Sequence, residues 1–152
     1  PAVRADWPTD PTKNVPVCTV GSDQTNAAII VSGGTPIIAW SEPRSGGNDI
    51  IVQRMDPSGG PLLPLGPPGS DAPGLDICAA DGNQVEPTMV ADGAGGAIIA
   101  WYDSLAPLIS DVFAQRLNAT GAPQWAQGAG TGVGSGRPLP FVGFVGALSK
   151  GF

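Results

Sequence analysis

Two acidic residues, Glu42 and Asp103, each lie two positions after the tryptophan that ends an apolar run. Paired carboxylates carry out glycoside hydrolysis, so a glycosidase is the enzymatic chemistry that these residues suggest. The two positions are equivalent in a duplicated segment, however, and duplication explains the match more simply than an active site does. The chain also has no histidine, which excludes Ser-His-Asp and Cys-His catalysis. We therefore expect a protein that is not an enzyme.

Trp40 and Trp101 occupy the same position in the two copies of that segment. Indole rings can stack on sugar rings, so the pair is a candidate carbohydrate contact. A tryptophan that ends a buried strand is more often a packing anchor. The sequence favours packing and keeps carbohydrate contact as an alternative.

Several oxygen-bearing side chains suggest calcium. They are found in Asp81-Gly82-Asn83, in Asp92-Gly93 and at Asp103. None of them has the spacing of an EF-hand loop or of the nonapeptide calcium repeat. Turn formation explains the Asp-Gly and Gly-Asn pairs without a metal. No cofactor is predicted, and calcium stays open as an alternative.

Cys18 and Cys78 are also equivalent in the two copies. Two cysteines in a secreted chain favour a disulfide. A bridge requires Cα atoms within about 7 Å, and equivalent positions of neighbouring repeats can lie farther apart. An intramolecular bridge, an intersubunit bridge and buried thiols all remain open.

The dipeptides Gln53-Arg54 and Gln115-Arg116 follow Asp49 and Asp111 at a fixed distance. These residues could line a ligand-binding rim. The structural interpretation is stronger, because a half-buried arginine can bond to turn carbonyls and carboxylates of an adjacent sheet while glutamine satisfies backbone groups.

All these residues recur because the chain carries one segment twice, at an offset of about 61 residues. The offset is 60 at the cysteines, 61 at the tryptophans and 62 at the Gln-Arg pairs, so each change corresponds to one inserted residue in a turn-like stretch. Length changes confined to turns are typical of structural repeats. We assign 1–18 to an N-terminal strand arm, 19–78 to the first repeat, 79–127 to the second repeat, and 128–152 to a glycine-rich spacer and apolar tail.

Each repeat predicts three strands joined by short glycine-rich links, as in an antiparallel meander. The matching strands are 27–31 and 88–91, 36–40 and 97–102, and 50–55 and 112–117. Asp56 and Asn118 open type I turns after the third strands. A fourth, outer strand is expected near 62–63 and again around 123–125. Prolines interrupt almost every candidate helix, so the predicted fold class is all-β.

The predicted strands are continuous apolar runs such as Ile-Ile-Ala-Trp rather than alternations. Strands of this kind are covered on both faces, as they are in propeller blades and stacked sheets. Two units cannot close a ring, and they leave their outer faces exposed. Because an exposed apolar patch drives association, we expect the chain to assemble with copies of itself, either as a ring or as a filament.

The two ends of the chain are candidate connections between copies. Residues 1–18 are similar to the outer strand of a preceding unit, since Val15-Pro16-Val17-Cys18 echoes Leu75-Asp76-Ile77-Cys78. The tail has an apolar, strand-capable run after a flexible spacer, which suits addition to the open sheet edge of a neighbour. The candidate assembly residues in the tail are Phe141, Val142, Phe144, Val145 and Leu148. A tail that packs on its own chain or is disordered is the alternative.

Charge and composition narrow the partners. The net charge is −6 with only 7 scattered basic residues, which leaves no positive surface for a nucleic acid. No apolar run approaches the roughly 18 residues needed to cross a bilayer, so membrane insertion is not expected. Low lysine content and abundant Gly, Thr, Ser and Asn fit an extracellular or cell-surface chain whose leader is missing.

The second repeat contains an extended motif. It reads Gln-x-x-Pro, then Asp-Gly-x-Gly-Gly-x-Ile-Ile-Ala-Trp-x-Asp within 84–103, followed by Asp-x-x-x-Gln-Arg-Leu from 111. This motif resembles the blades of bacterial secreted β-propeller proteins, the group near the sialidase-like and Asp-box propellers. The resemblance implies two propeller-blade-like antiparallel sheets. The strict Asp-box signature is absent, so sialidase activity is not implied.

Together these observations predict a secreted, non-enzymatic structural or adhesive module that self-assembles through blade stacking. One alternative is a lectin-like oligomeric propeller that binds surface glycans. Another is that the chain is a fragment of a larger propeller protein.

Overall fold

The computed structural model describes residues 10, 12–44, 46–62, 74–78, 80–106 and 109–125, with no side chains described from 105 to 109. Seven strands lie in these ranges: β1 (Thr25–Ser32), β2 (Thr35–Arg44), β3 (Gly47–Arg54), β4 (Leu75–Cys78), β5 (Asn83–Ala91), β6 (Ala97–Ala106) and β7 (Ile109–Leu117). The first sheet has the order β1-β2-β3-β4 and the second β5-β6-β7, all antiparallel. The described residues contain no helix. The predicted all-β class and the two antiparallel sheets are therefore confirmed.

The duplication extends to irregularities of the backbone. The pairing of β1 with β2 shifts register after Thr25, and the pairing of β5 with β6 shifts register after Val85. Asn26 and Glu86, at these two bulges, both have a φ of 55°. A positive φ is uncommon outside glycine, and its repetition at one position shows that both copies use the same bulge.

The turns that follow β3 and β7 are also the same, as the sequence predicts. The Oδ1 atoms of Asp56 and Asn118 each accept hydrogen bonds from the amides two and four residues further on, at 2.6 to 3.0 Å. Gly59 and Gly121 follow with φ of 89° and 84°. A β-carbon is disfavoured at that φ, so glycine allows the chain to reverse here.

The predicted fourth strand around 123–125 is wrong in extent, and of the one predicted near 62–63 only Leu62 lies among the described residues. Within the described residues, the pairing at these places consists of isolated bridges between Met55 and Pro61 and between Leu117 and Pro123. The bonds of each bridge come from amides next to the bridged residues, such as Leu62 N to Arg54 O at 2.6 Å and Gln124 N to Arg116 O at 2.7 Å. The prolines therefore occupy positions where no amide hydrogen is needed. The fourth strand of the first sheet is instead β4, which pairs with β3.

Each sheet has two chemically different faces, because side chains alternate along a strand. We call the face that bears Trp40 or Trp101 the tryptophan face, and the opposite face, which bears Ala39 or Ala100, the alanine face. The alanine face of the first sheet packs against the tryptophan face of the second in one buried cluster. The residues of these two faces in the cluster are Ile37, Ala39, Ile50 and Val52 from the first sheet, and Ile99, Trp101, Phe113 and Leu117 from the second. The sheets therefore stack with unlike faces in contact.

Arg54 joins the two sheets through the turns at their ends. Its Nη1 donates to the carbonyl oxygens of Gly95 at 2.7 Å and Ala119 at 2.8 Å, both in the second sheet's turns. Its Nη2 donates to the carbonyl oxygen of Ser32 in the first sheet at 3.3 Å. The predicted structural role of this arginine, bonding to turn carbonyls across adjacent sheets, agrees with these contacts.

We expect Arg54→Lys to lower the free energy of unfolding by about 1.5–3 kcal/mol, because lysine lacks the planar fork whose two separate nitrogens reach carbonyls in both sheets. Urea denaturation followed by tryptophan fluorescence measures the change. The matched control is Arg116→Lys, since Arg116 bonds within its own sheet to Asp92 and is partly exposed, so its loss costs about 0–1 kcal/mol. Equal losses for the two variants would contradict the role of Arg54 as a connection between sheets.

Candidate functional site

The alanine face of the second sheet is an apolar surface that the described residues leave open. Val90, Tyr102 and Val112 on this face are 59%, 46% and 58% exposed. Ile98, Ala100 and Ala114 lie between them and are half-buried. A contiguous apolar surface of this kind typically marks an interaction site.

The same face of the first sheet is fully covered. Ile37, Ala39, Ile50 and Val52 are at most 4% exposed, because the second sheet packs on them. Their counterparts in the second sheet are Ile98, Ala100, Val112 and Ala114, by the offsets of the repeat. The second sheet thus presents to solvent the kind of surface that a sheet covers in the first.

The outer edge of the second sheet differs from that of the first. In the first sheet the outer edge of β3 pairs with β4, with Ile50 opposite Cys78 and Val52 opposite Leu75. In the second sheet β7, the counterpart of β3, pairs only with β6 among the described strands. Val112 and Ala114 are the counterparts of Ile50 and Val52 on this edge.

The tryptophan face of the first sheet, at the opposite end of the stack, is largely covered. Ile38, Trp40, Ile51 and Met55 form a buried cluster against which Val15, Val17 and Cys18 pack. Only the β1 part of this face is exposed, at Ile29 and Val31. The prediction that both outer faces are exposed is therefore wrong for this end, because the chain's own residues 15–18 pack on it.

A group of charged side chains is buried beside this cluster. Arg44 Nε lies 3.1 Å from Glu42 Oε1, and Arg44 Nη2 lies 3.8 Å from Asp76 Oδ1. Glu42 Oε2 accepts a hydrogen bond from Trp40 Nε1 at 3.0 Å. Burial, and then the nearby Asp76 carboxylate, raises the pKa of Asp49 to about 7. Burial also raises the pKa of Asp76.

The two carboxylates considered for glycoside hydrolysis lie in different sheets with separate partners. Glu42 is in β2 and bonds to Trp40 and Arg44, whereas Asp103 is in β6 and accepts a hydrogen bond from Gln84 Nε2 at 3.3 Å. These partners give each carboxylate a structural role in its own sheet. They agree with the interpretation that duplication accounts for the match.

Trp40 and Trp101 are 2% and 1% exposed. Neither indole presents a ring face to solvent on which a sugar could stack, so their burial favours the packing role. Tyr102 is an exposed aromatic ring of the described surface. No sequence signal selects it, because its counterpart in the first repeat is Ser41, which is not aromatic.

The two cysteines are thiols and do not bridge. Cys18 packs on the tryptophan face of the first sheet, and Cys78 lies in the cluster on the alanine face. The first sheet lies between the two thiols, so they do not form an intramolecular disulfide in this fold. Cys18 Sγ donates to Glu42 Oε2 at 3.5 Å, and burial raises the pKa of its thiol.

The described residues contain no group of three or more His, Cys, Asp or Glu side chains arranged to hold a metal ion. Both carboxylate oxygens of Asp92, a calcium candidate, already accept hydrogen bonds. Oδ1 accepts from the amides of Ala94 and Gly96, and Oδ2 accepts from Arg116. Turn formation explains this residue, as the sequence suggests.

A cavity of about 10 Å³ lies between the sheets next to Arg54. This volume is about that of one water molecule, and a sugar does not fit it. The candidate assembly residues of the tail, Phe141 to Leu148, lie outside the described residues, as does most of the N-terminal arm. None of the described segments forms an apolar helix of membrane-spanning length.

Comparisons with family models, curated proteins and solved structures found no match for this chain. The class that the fold defines is therefore an all-β protein with two stacked antiparallel sheets, and the propeller resemblance stays an expectation drawn from the motifs.

Proposed function

We propose that the chain is a non-enzymatic, extracellular structural or adhesive module that assembles with copies of itself by stacking its sheets. The observation that carries the proposal is the contrast between the two alanine faces. The face is covered by a following sheet in the first repeat and open in the second. A second copy supplies the missing sheet.

The contact joins the open alanine face of one copy to the opposite end of the stack in the next copy, where residues 15–18 lie on the tryptophan face and Ile29 and Val31 are exposed. Each copy therefore keeps an open alanine face for a further copy. An interface of this type forms a ring if the rotation between copies closes, and a filament if it does not. Full burial of an apolar side chain stabilises by about 1.5–3 kcal/mol, so covering three half-exposed side chains contributes about 2–4.5 kcal/mol toward the cost of association.

Negative-stain electron microscopy of the purified chain tests the proposal. Rings or filaments with a regular repeat are the expected result. A field of single small particles at micromolar concentration would remove the proposal. A variant that ends at residue 136 tests the tail separately, since normal assembly without 137–152 would exclude the tail as the connection.

A carbohydrate-binding oligomer is the second candidate. It is favoured by Tyr102, an aromatic ring 46% exposed on the open alanine face. A glycan array probed with the unchanged chain and with Tyr102→Ala distinguishes the two functions. Binding that depends on Tyr102 supports the lectin, and the absence of binding leaves the structural module.

A further inference from the structure

The segment Val15-Pro16-Val17-Cys18 is the repeat counterpart of β4. It precedes the first repeat at the position from which Leu75-Asp76-Ile77-Cys78 precedes the second, with the same offset of 60 residues for each pair. The second of these segments forms β4 and completes the edge of the preceding sheet. The first segment forms no strand in its own chain.

Residues 15–18 nevertheless lie on the first sheet in the same way as β4 lies on the second sheet. Leu75, Ile77 and Cys78 pack in the cluster that contains Trp101 of the second sheet. Val15, Val17 and Cys18 pack on the cluster that contains Trp40 of the first sheet. Both segments therefore lie on the tryptophan face of the sheet that follows them, and only β4 has a preceding sheet in the same chain.

The second sheet has the edge that this segment would complete. β7 is the counterpart of β3, and no described strand pairs with its outer edge. The register of β4 on β3, carried over by the repeat offsets, places Cys18 opposite Val112 and Val15 opposite Ala114. Pro16 would lie in the outermost strand, where a proline is tolerated with its nitrogen facing solvent.

Arg116 provides an independent indication of the same arrangement. Its counterpart Arg54 uses Nη1 to bond the carbonyls of Gly95 and Ala119 in the following sheet. Arg116 uses Nε and Nη2 for Asp92, and its Nη1 has no partner among the described residues. If copies stack as the two sheets do, this Nη1 would lie near the turns at Gly34 and Pro57 of the next copy, the repeat counterparts of Gly95 and Ala119.

We infer that residues Val15–Cys18 of one copy add as a fourth strand to the outer edge of β7 in the preceding copy, with Cys18 opposite Val112. This inference rests on the proposed self-assembly and specifies its connection. The second copy is the occupant, because the segment's own chain already holds it against Trp40, at the far end of the stack from β7.

The native thiol of Cys18 makes the register testable by cross-linking. Residues directly opposite in antiparallel strands have Cβ atoms about 4.5–5.5 Å apart, which is close enough for a disulfide after small adjustments. The variant is Val112→Cys, at an exposed position where the smaller side chain leaves the core unchanged. Copper phenanthroline is the added oxidant, at about pH 8.5, where the exposed introduced thiol ionises readily even though burial raises the pKa of the Cys18 thiol.

We expect this variant to form a ladder of disulfide-linked dimers and higher oligomers on non-reducing electrophoresis, at least about tenfold more than Val90→Cys. Val90 is equally exposed on the same face but lies on β5, two strands from the edge and thus about 10 Å away. Mass spectrometry of the peptides should show Cys18 joined to the introduced thiol. Adding Cys18→Ser to the Val112→Cys variant should remove the ladder.

Three results would overturn the inference: a linked monomer, which would place the segment on its own β7; a ladder that persists without Cys18; or a chain that still assembles but does not cross-link. The last outcome leaves the proposed self-assembly intact, since sedimentation of the unoxidised variant measures assembly separately. If both the variant and the unchanged chain are monomeric, the result contradicts the proposed function as well.

Discussion

With lysine at both Val90 and Val112, the chain is expected to remain monomeric at concentrations where the unchanged chain assembles. These side chains are 59% and 58% exposed, so the substitutions leave the core of each sheet intact. On stacking, however, each would bury an ammonium group against apolar side chains of the next copy. We expect the dissociation constant to rise by at least about 100-fold, which corresponds to about 2.7 kcal/mol.

Sedimentation velocity over a concentration series measures this change, and circular dichroism checks that the fold is retained. The matched control is Leu62→Lys, at an apolar residue that is 48% exposed but lies outside the open alanine face. Loss of assembly in the control, or normal assembly of the double variant, would show that the open face is not the interface.

Asp49→Asn is expected to stabilise the folded chain by about 2–4 kcal/mol at pH 8 and to have little effect near pH 4. The raised pKa of about 7 means that the folded chain holds a proton that the unfolded chain releases above its ordinary value of 3.8. The free energy of unfolding of the unchanged chain therefore falls as the pH rises from about 4 to 7, and stays low above pH 7. Asparagine carries no charge and removes this penalty.

Urea denaturation between pH 4 and 8 follows this dependence. Asp76 also lowers the free energy of unfolding as the pH rises, because burial raises its pKa too. Asp56 and Asp92 act in a different window, since hydrogen bonds lower their pKa values and their contribution is lost only at more acidic pH. Asp111→Asn is the matched control, because Asp111 is the exposed repeat counterpart of Asp49. Parallel pH profiles for the unchanged chain and Asp49→Asn would refute the prediction.

Local patterns in the sequence were enough to predict much of the fold. Continuous apolar runs and glycine-rich links located six of the strands, and the Asx and glycine positions located the turns after β3 and β7. The cross-sheet prediction made for both Gln-Arg pairs agrees with Arg54, which bonds to carbonyls of the second sheet. It is wrong for Arg116, which bonds to Asp92 of its own sheet because no further sheet of the described chain lies beside it.

Features that depend on three-dimensional placement could not be predicted. The outer strand β4 is only four residues long and carries Asp76, so its pattern is too short to show a period, and it pairs with β3 only because the chain returns there. Cys18 and Cys78 look like a bridgeable pair until the sheet is placed between them. Asp49 and Asp111 have the same residue type and spacing, but Asp49 is buried and lies near Asp76 of β4, whereas Asp111 is exposed.

The sequence predicted that an apolar face would be exposed, but not which residues form it. Which face is covered depends on the order in which the sheets stack. Val112 and Ile50 occupy equivalent positions of the repeat, but only Ile50 has a following sheet on its face and β4 at its edge among the described residues. The identity of that following sheet is the central question about this protein.

Multi-angle light scattering of the unchanged chain, at concentrations up to about 100 µM, addresses it most directly. We expect the mass to rise with concentration through multiples of the monomer, and the rise to disappear when lysine replaces Val90 and Val112. A constant monomer mass over the whole range would show that the second sheet needs no copy to cover it.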